Sequence, residues 1–177
     1  MVLKSMTLKG TSLQEPQIFK NLLTSEEHQD LIRQLQPFVS QYDYDPEFNR
    51  FSIDSDQSPI LKTYAEKLLP IARRFFKSET LLHTYSLFVQ YQGPNAKLPP
   101  HKDKNACTYT LDYCLYQTVP WELWVENKSY LLSPNEAVAY YGENQLHWRE
   151  KFNGTSRDHV AMIFFHFAEP DHWFFNP

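Results

Sequence analysis

The chain is poor in cysteine, with two in 177 residues. Cys107 and Cys114 stand seven apart in what reads as one strand, an odd separation that points them to opposite faces and rules out a mutual bridge. A cytoplasmic location in a reducing compartment is therefore expected rather than a disulfide-stapled secreted domain. The start, "MVLKSMTLKG", has no apolar core of the kind a signal peptide carries. No uninterrupted apolar run reaches the length needed to span a bilayer. Lys and Arg form no long run and the net charge is −4, so a nucleic-acid partner lacks its usual electrostatic footprint. Internal repeats and low-complexity tracts are absent. No helical segment alternates with the strand-like runs, which argues against a doubly wound parallel sheet.

Aromatic side chains are plentiful, at 16% of the chain, and suit β-sheet cores and concave pockets. The length suits one domain over residues 1–177, able to bury roughly 70% of its unfolded surface. Residues 1 to 15 are polar and unpatterned. Thr24 followed by Glu27 forms a capping box at the head of a helix over about Ser25 to Leu35, with Leu31, Ile32 and Leu35 as its apolar stripe. "QYDYDPEFNRFSIDSDQ" reads as an acidic loop. Ser58-Pro59 opens a second helix to about Phe76, which Pro70 is expected to kink or split. The N-terminal strand and helices thus occupy about 16–78.

From about 81 to 168 the pattern is β. "LLHTYSLFVQY", "ACTYTLDYCLYQ", "WELWVE", "SYLLS", "AVAYY" and "RDHVAMIFFHF" are strand-like, with turns expected at "QGPN", "VENKSY" and "FNGTS". Two helices followed by many short strands predict a mainly β fold, a sandwich or barrel with the helices packed outside it.

Two His-x-Asp matches occur. His28 and Asp30 fall on the first helix, where residues two apart point about 200° away from each other, so they cannot share an ion and read as a solvated face. His101 and Asp103 follow Pro99-Pro100, which favour extended backbone, where residues two apart share a face. A third ligand must come from elsewhere. Two imidazoles and a carboxylate form the facial triad that suits Fe(II) and leaves positions open. Of His147, His159, His166 and His172, only His147 has a basic residue ten positions on, Arg157. A keto diacid chelating iron through its keto end needs a cation for its far carboxylate, and a guanidinium supplies a bidentate fork. That assignment demands a hairpin with an odd-length loop or a bulge, to put His147 and Arg157 on one face.

These residues resemble the Fe(II)/2-oxoglutarate oxygenases, in particular the prolyl-4-hydroxylase-like branch. The likeness rests on His101-x-Asp103, His147 and Arg157 with Gly154 before it. It also rests on "FVQYQGPNAKLPPHKD", "PQIFKNLLTSEEHQDLI" and "LLSPNEAVAYY", and runs from about Pro16 to Phe167. It implies a double-stranded β-helix (a jelly-roll, cupin-like core) with Fe(II) held by His101, Asp103 and His147, and 2-oxoglutarate and O2 as cosubstrates. The implied reaction is hydroxylation of an unactivated C–H of a small molecule, amino acid or peptidyl side chain, with release of succinate and CO2. Arg157 stands where the prolyl hydroxylases often carry Lys. Asn135 replaces a customary glycine and tolerates positive φ. Asp103 is present where halogenases of the family lack the carboxylate.

Tyr91 and Tyr113 are candidate hydroxyl donors to 2-oxoglutarate, with Tyr109 sharing the parity of Tyr113. Trp121, Trp124 and Trp148 could wall a substrate pocket, though packing is the commoner use of such rings. Asn105 lies close enough in sequence to reach the metal region. Competing readings are a non-enzymatic metal-binding or interaction module on the same barrel, and an oxidative nucleic-acid demethylase, against which the charge balance counts.

Overall fold

A computed structural model describes residues 13–104 and 106–176. Most of the unpatterned N-terminal stretch and Asn105 therefore lie outside the described residues. The elements run β1 (Gln17–Lys20), α1 (Ser25–Leu35), β2 (Asp43–Asp45), β3 (Arg50–Asp54), α2 (Pro59–Phe76), β4 (Leu82–Gln92), β5 (Leu98–His101), β6 (Tyr109–Gln117), β7 (Leu123–Val125), β8 (Lys128–Tyr130), β9 (Glu136–Tyr140), β10 (His147–Arg149) and β11 (His159–Ala168).

Helix α1 starts where the capping box places it. Thr24 Oγ1 accepts from the Glu27 amide at 3.3 Å, and the Thr24 amide donates to Glu27 Oε2 at 2.9 Å. These reciprocal bonds satisfy donors that a helix start otherwise leaves open. Helix α2 runs unbroken through Pro70, contrary to the expected split. Pro70 is exposed, while Leu61, Leu68 and Leu69 before it and Ala72 and Phe75 after it are buried on one face. Packing along the whole length outweighs the backbone hydrogen bond that proline cannot make. The acidic stretch read as a loop contains the β2–β3 hairpin, with β3 added to the edge of β4. Such short strands carry little intrinsic signal; the neighbouring strand stabilises them.

Among the described residues the strands form two antiparallel sheets. One has seven strands in the order β1-β9-β6-β11-β4-β3-β2, and the other four in the order β5-β10-β7-β8. Strand alternation gives each sheet two unlike faces. On the seven-stranded sheet Leu111, Tyr113, Ile163 and Phe165 join the apolar faces of α1 and α2 in one cluster. Val89, Tyr91, Cys114, Val138 and Met162 point the other way and join Leu98, Leu123 and Val125 of the four-stranded sheet in a second cluster. Strand β5 lies at a sheet edge, which is where its two prolines can sit without costing a ladder bond.

His28 is buried, not solvated. Its Nδ1 lies 2.5 Å from the Tyr113 hydroxyl and ties α1 to β6. Asp30 stays on the outer face with Arg33 and Gln34. Cys107 precedes β6 instead of lying in it; both cysteines are buried, and they form no disulfide with each other. Asn135 adopts φ 67°, and its side chain bonds both the amide and the carbonyl of Leu23, clipping β1 to the turn before β9. No helix among the described residues is long and apolar enough to cross a membrane.

Replacing Thr24 by Ala should lower stability by about 1 kcal/mol. In urea unfolding this appears as a lower midpoint with an unchanged slope.

Candidate metal centre

Antiparallel pairing of β10 with β5 sets His147 directly opposite His101. Their ring centroids are 4.3 Å apart. Asp103, just past the end of β5, turns back between them: its Oδ1 is 3.6 Å from His101 Nε2 and 3.4 Å from His147 Nε2. One donor atom from each residue lies within 4.8 Å of the other two. The imidazole tautomers follow from the other ring nitrogens. His101 Nδ1 faces the Pro99 carbonyl at 2.8 Å, and His147 Nδ1 faces the Gln145 carbonyl at 2.9 Å. A carbonyl only accepts, so each Nδ1 carries a proton, which leaves Nε2 as the nitrogen able to ligate an ion at the shared point. Two imidazoles and a carboxylate converging in this way fit a divalent transition metal of the Fe(II) class.

The loop around Gly142 holds the carboxylate in place. The Asp103 amide donates to the Gly142 carbonyl at 2.9 Å. A Cβ on Gly142 would come within 2.5 Å of the Cys107 carbonyl and 2.7 Å of Thr110 Oγ1, besides meeting the Asp103 carboxylate. Only glycine permits this approach. Thr110 links the far oxygen of Asp103, at 3.5 Å, to His166 Nδ1, at 3.1 Å. Asp103, Cys107 and His166 form a second set of donor atoms within 4.8 Å of one another, on the far side of the same carboxylate. Burial alone would raise the pKa of Asp103. Contacts with His101 and His147 and the nearby His166 more than reverse this, leaving the carboxyl well below its ordinary range.

The three donors open onto a cavity of about 160 Å³ whose walls include Arg50, Tyr85, Asp112, Tyr140 and Phe164. Asp112 is 1% exposed and pairs with Arg149 at 3.3 Å. Burial pushes its carboxyl up to about 6, against the opposing charges of Arg149 and His147. Arg149 also donates to the Trp121 carbonyl, and its guanidinium lies 5.2 Å from the centre of the Trp121 ring.

Several expectations are corrected here. Arg157 does not reach the cavity. It is exposed on a turn, its amide donating to Thr155 Oγ1. The hairpin that would have brought it in does not exist, because β10 pairs with β5 and β7 while β11 pairs with β6 and β4 in the other sheet. The segment after β10 crosses between sheets. The inward residues at the start of β11 are Val160 and Met162, of the opposite parity to Arg157. Tyr113 and Tyr109 both face α1 and α2, away from the metal residues. Strand parity cannot be counted from His101 to Tyr113, because the chain leaves β5 and enters a different sheet at β6. The inward residues of β6 near the cavity are Thr110 and Asp112. Trp121 packs in the core against Tyr91 and Phe152, and Trp124 stacks on Trp148 at 5.8 Å along the β7–β10 pair. None of the three tryptophans is among the residues lining the cavity. Tyr91 does lie at the metal side of the sheet, fully buried, and its hydroxyl accepts from Arg50 at 3.3 Å.

Arg50, Asp112, Arg149 and Gly142 were not anticipated. For Arg149 a signal existed: it stands two residues after His147 on a strand and so shares its face. Arg50 had none, since its place depends on β3 docking against β4.

No family model matches the chain, and no curated protein matches it in sequence. Solved structures are similar to it in fold. The non-haem alpha-ketoglutarate-dependent epimerase SnoN from nogalamycin biosynthesis is 9% identical, with a TM-score of 0.70 over 87% of this chain and 77% of that one. HygX from Streptomyces hygroscopicus, with nickel and 2-oxoglutarate bound, is 11% identical, with a TM-score of 0.67 over 88% and 83%. EctD from S. alaskensis with bound Fe is 13% identical, with a TM-score of 0.71 over 89% and 73%. The chain shares the fold of these three structures. At these identities the likeness is one of architecture, a pair of facing antiparallel sheets like those of the double-stranded β-helix. The placement of His101, Asp103 and His147 is a separate observation, made on this chain's own side chains.

His166 yields a pH prediction. Burial holds its pKa down at about 4, against an ordinary value of 6.5. Between those values the unfolded chain takes up a proton that the folded chain refuses, so stability falls as pH drops through that window. Asp103 contributes in the same sense at lower pH, since its folded pKa is depressed. His166→Gln should flatten the limb between pH 6.5 and 4 in urea midpoints measured against pH.

Proposed function

We propose that the chain is a non-haem Fe(II)- and 2-oxoglutarate-dependent oxygenase that hydroxylates a C–H of a small molecule, amino acid or peptidyl side chain, releasing succinate and CO2. The observation that carries this reading is the convergence of His101, Asp103 and His147 on one point at the wall of a cavity. When bound, iron supplies oxygen activation and chelation of the keto acid. The protein's own residues do the rest. Nδ1 bonds to backbone carbonyls orient both imidazoles, and the Gly142 carbonyl orients Asp103 through its amide. Leu87, Leu98 and Phe164 give the cavity apolar walls that exclude water from the reacting groups. The prolyl-4-hydroxylase-like branch remains our reading of the sequence motifs. SnoN, by its description an epimerase, marks the range of outcomes that the same architecture hosts. Two cysteines that form no disulfide with each other fit a cytoplasmic setting, and the charge balance fits a small-molecule or peptide substrate rather than nucleic acid.

One observation favours a second reading, a metal-binding module without oxidative turnover: the cation expected for the keto diacid, Arg157, faces solvent.

Anaerobic Fe(II) with 2-oxoglutarate should give a visible charge-transfer absorption with the wild-type protein, and air should then release succinate. His101→Ala, Asp103→Ala and His147→Ala should each abolish the band while leaving the far-UV circular dichroism unchanged. A band that survives all three substitutions would place the metal elsewhere. A band without succinate, across free amino acids and peptides as substrates, would favour the second reading.

A further inference from the structure

Three buried side-chain atoms stand without a hydrogen-bond partner among the described residues: Arg50 Nε, Asp112 Oδ1 and Arg149 Nε. Two of these residues line the cavity, and the third is salt-bridged to one of them. Unpartnered buried polar atoms are uncommon, and their gathering at one cavity marks it as a place built to receive a polar ligand. The two guanidiniums differ in what they have left to give. Arg149 is compensated: one amino group faces Asp112 at 3.3 Å and the other donates to the Trp121 carbonyl. A second carboxylate brought to Arg149 would meet the negative charge of Asp112.

Arg50 is less committed. It reaches the cavity wall from β3, whose register sets it opposite Tyr91 of β4. Its nearest carboxylate is Asp45 at 3.7 Å, on a side chain 34% exposed, a pairing that water screens. The plane of its guanidinium is steadied by the Phe48 ring, 4.6 Å away. One amino group donates to the Tyr91 hydroxyl at 3.3 Å, which leaves that hydroxyl's own proton free to donate onward.

We infer that Arg50, its guanidinium oriented by the Tyr91 hydroxyl, docks the far carboxylate of the keto diacid, in the role the sequence pattern had assigned to Arg157. The inference rests on the cosubstrate reading given above. A planar guanidinium fork offers a carboxylate charge-assisted bonds in a site that excludes water. The cation comes from a hairpin laid against the edge of the sheet, not from the strand that follows the last metal ligand.

The test uses the full chain loaded with Ni(II), titrated calorimetrically with 2-oxoglutarate and with 2-oxopentanoate, which has the same carbon chain but no far carboxylate. Wild type should bind 2-oxoglutarate more tightly. Arg50→Ala should weaken 2-oxoglutarate roughly 10- to 100-fold, the scale of a lost charged hydrogen-bonding group, while leaving Ni(II) and 2-oxopentanoate within about twofold. Arg50→Gln, closer in shape, repeats the measurement should the Ala variant fold poorly. Arg157→Ala should bind like wild type. An unchanged 2-oxoglutarate affinity in both Arg50 variants overturns the assignment and leaves Arg50 to any carboxylate of the substrate. So does equal loss of both acids, which marks a structural role. A loss seen only in Arg157→Ala would restore the rejected residue. A wild-type protein that binds Ni(II) but neither acid would sink the cosubstrate reading itself, and with it this one.

Discussion

The backbone pairing of β10 with β5 brings together two histidines that stand 46 positions apart in the chain and makes them direct neighbours. Everything proposed for the centre depends on that register. A slip of one residue would turn His147 outward and Trp148 inward, because alternate side chains leave a strand on opposite faces. The register is held from both sides: β7 pairs with β10 on its other edge, with Trp124 opposite Trp148 and their rings stacked. The two tryptophans thus support the candidate metal-ligating residues by fixing the strand that carries one of them, without lining the cavity.

Around that pairing the polar groups are arranged by burial. Both imidazoles lose the choice of tautomer to nearby carbonyls, and Asp103 gains its low pKa from the histidines it faces. Deeper in, Asp112 and Arg149 form a buried pair whose charges largely cancel. Breaking such a pair from one side leaves an isolated buried charge, which is far more costly than the pair itself is stabilising. The cavity therefore has a neutralised floor, an acidic residue between two imidazoles on one wall and Arg50, paired only with the partly exposed Asp45, as its available cation.

Seen from the sequence, the local features were readable. Thr24 and Glu27 marked the head of α1 to the residue, because a capping box is a contact between residues three apart. Asn135 was expected to tolerate positive φ and does. Pro99 and Pro100 led to an extended His101 because proline restricts its own backbone and that of its neighbour. The failures all involve a second element. His28 looked like a surface residue until Tyr113 was brought against it. The β2–β3 hairpin looked like a loop until β4 gave it an edge. Pro70 looked like a break until a continuous buried face held the helix together.

Composition, turn chemistry and strand periodicity pointed to a mainly β fold, and extended backbone, which puts residues two apart on one side, nominated His101 with Asp103; His147 was nominated by its interval to Arg157 and by the family resemblance. Whether His147 meets the other two, which arginine enters the cavity, and which tyrosines turn away were decided by how the strands are shared between two sheets. Arg157 and Arg50 show why. Both are single basic residues in unremarkable local sequence, and only the pairing partner of the neighbouring strand determines that one faces water and the other a buried wall.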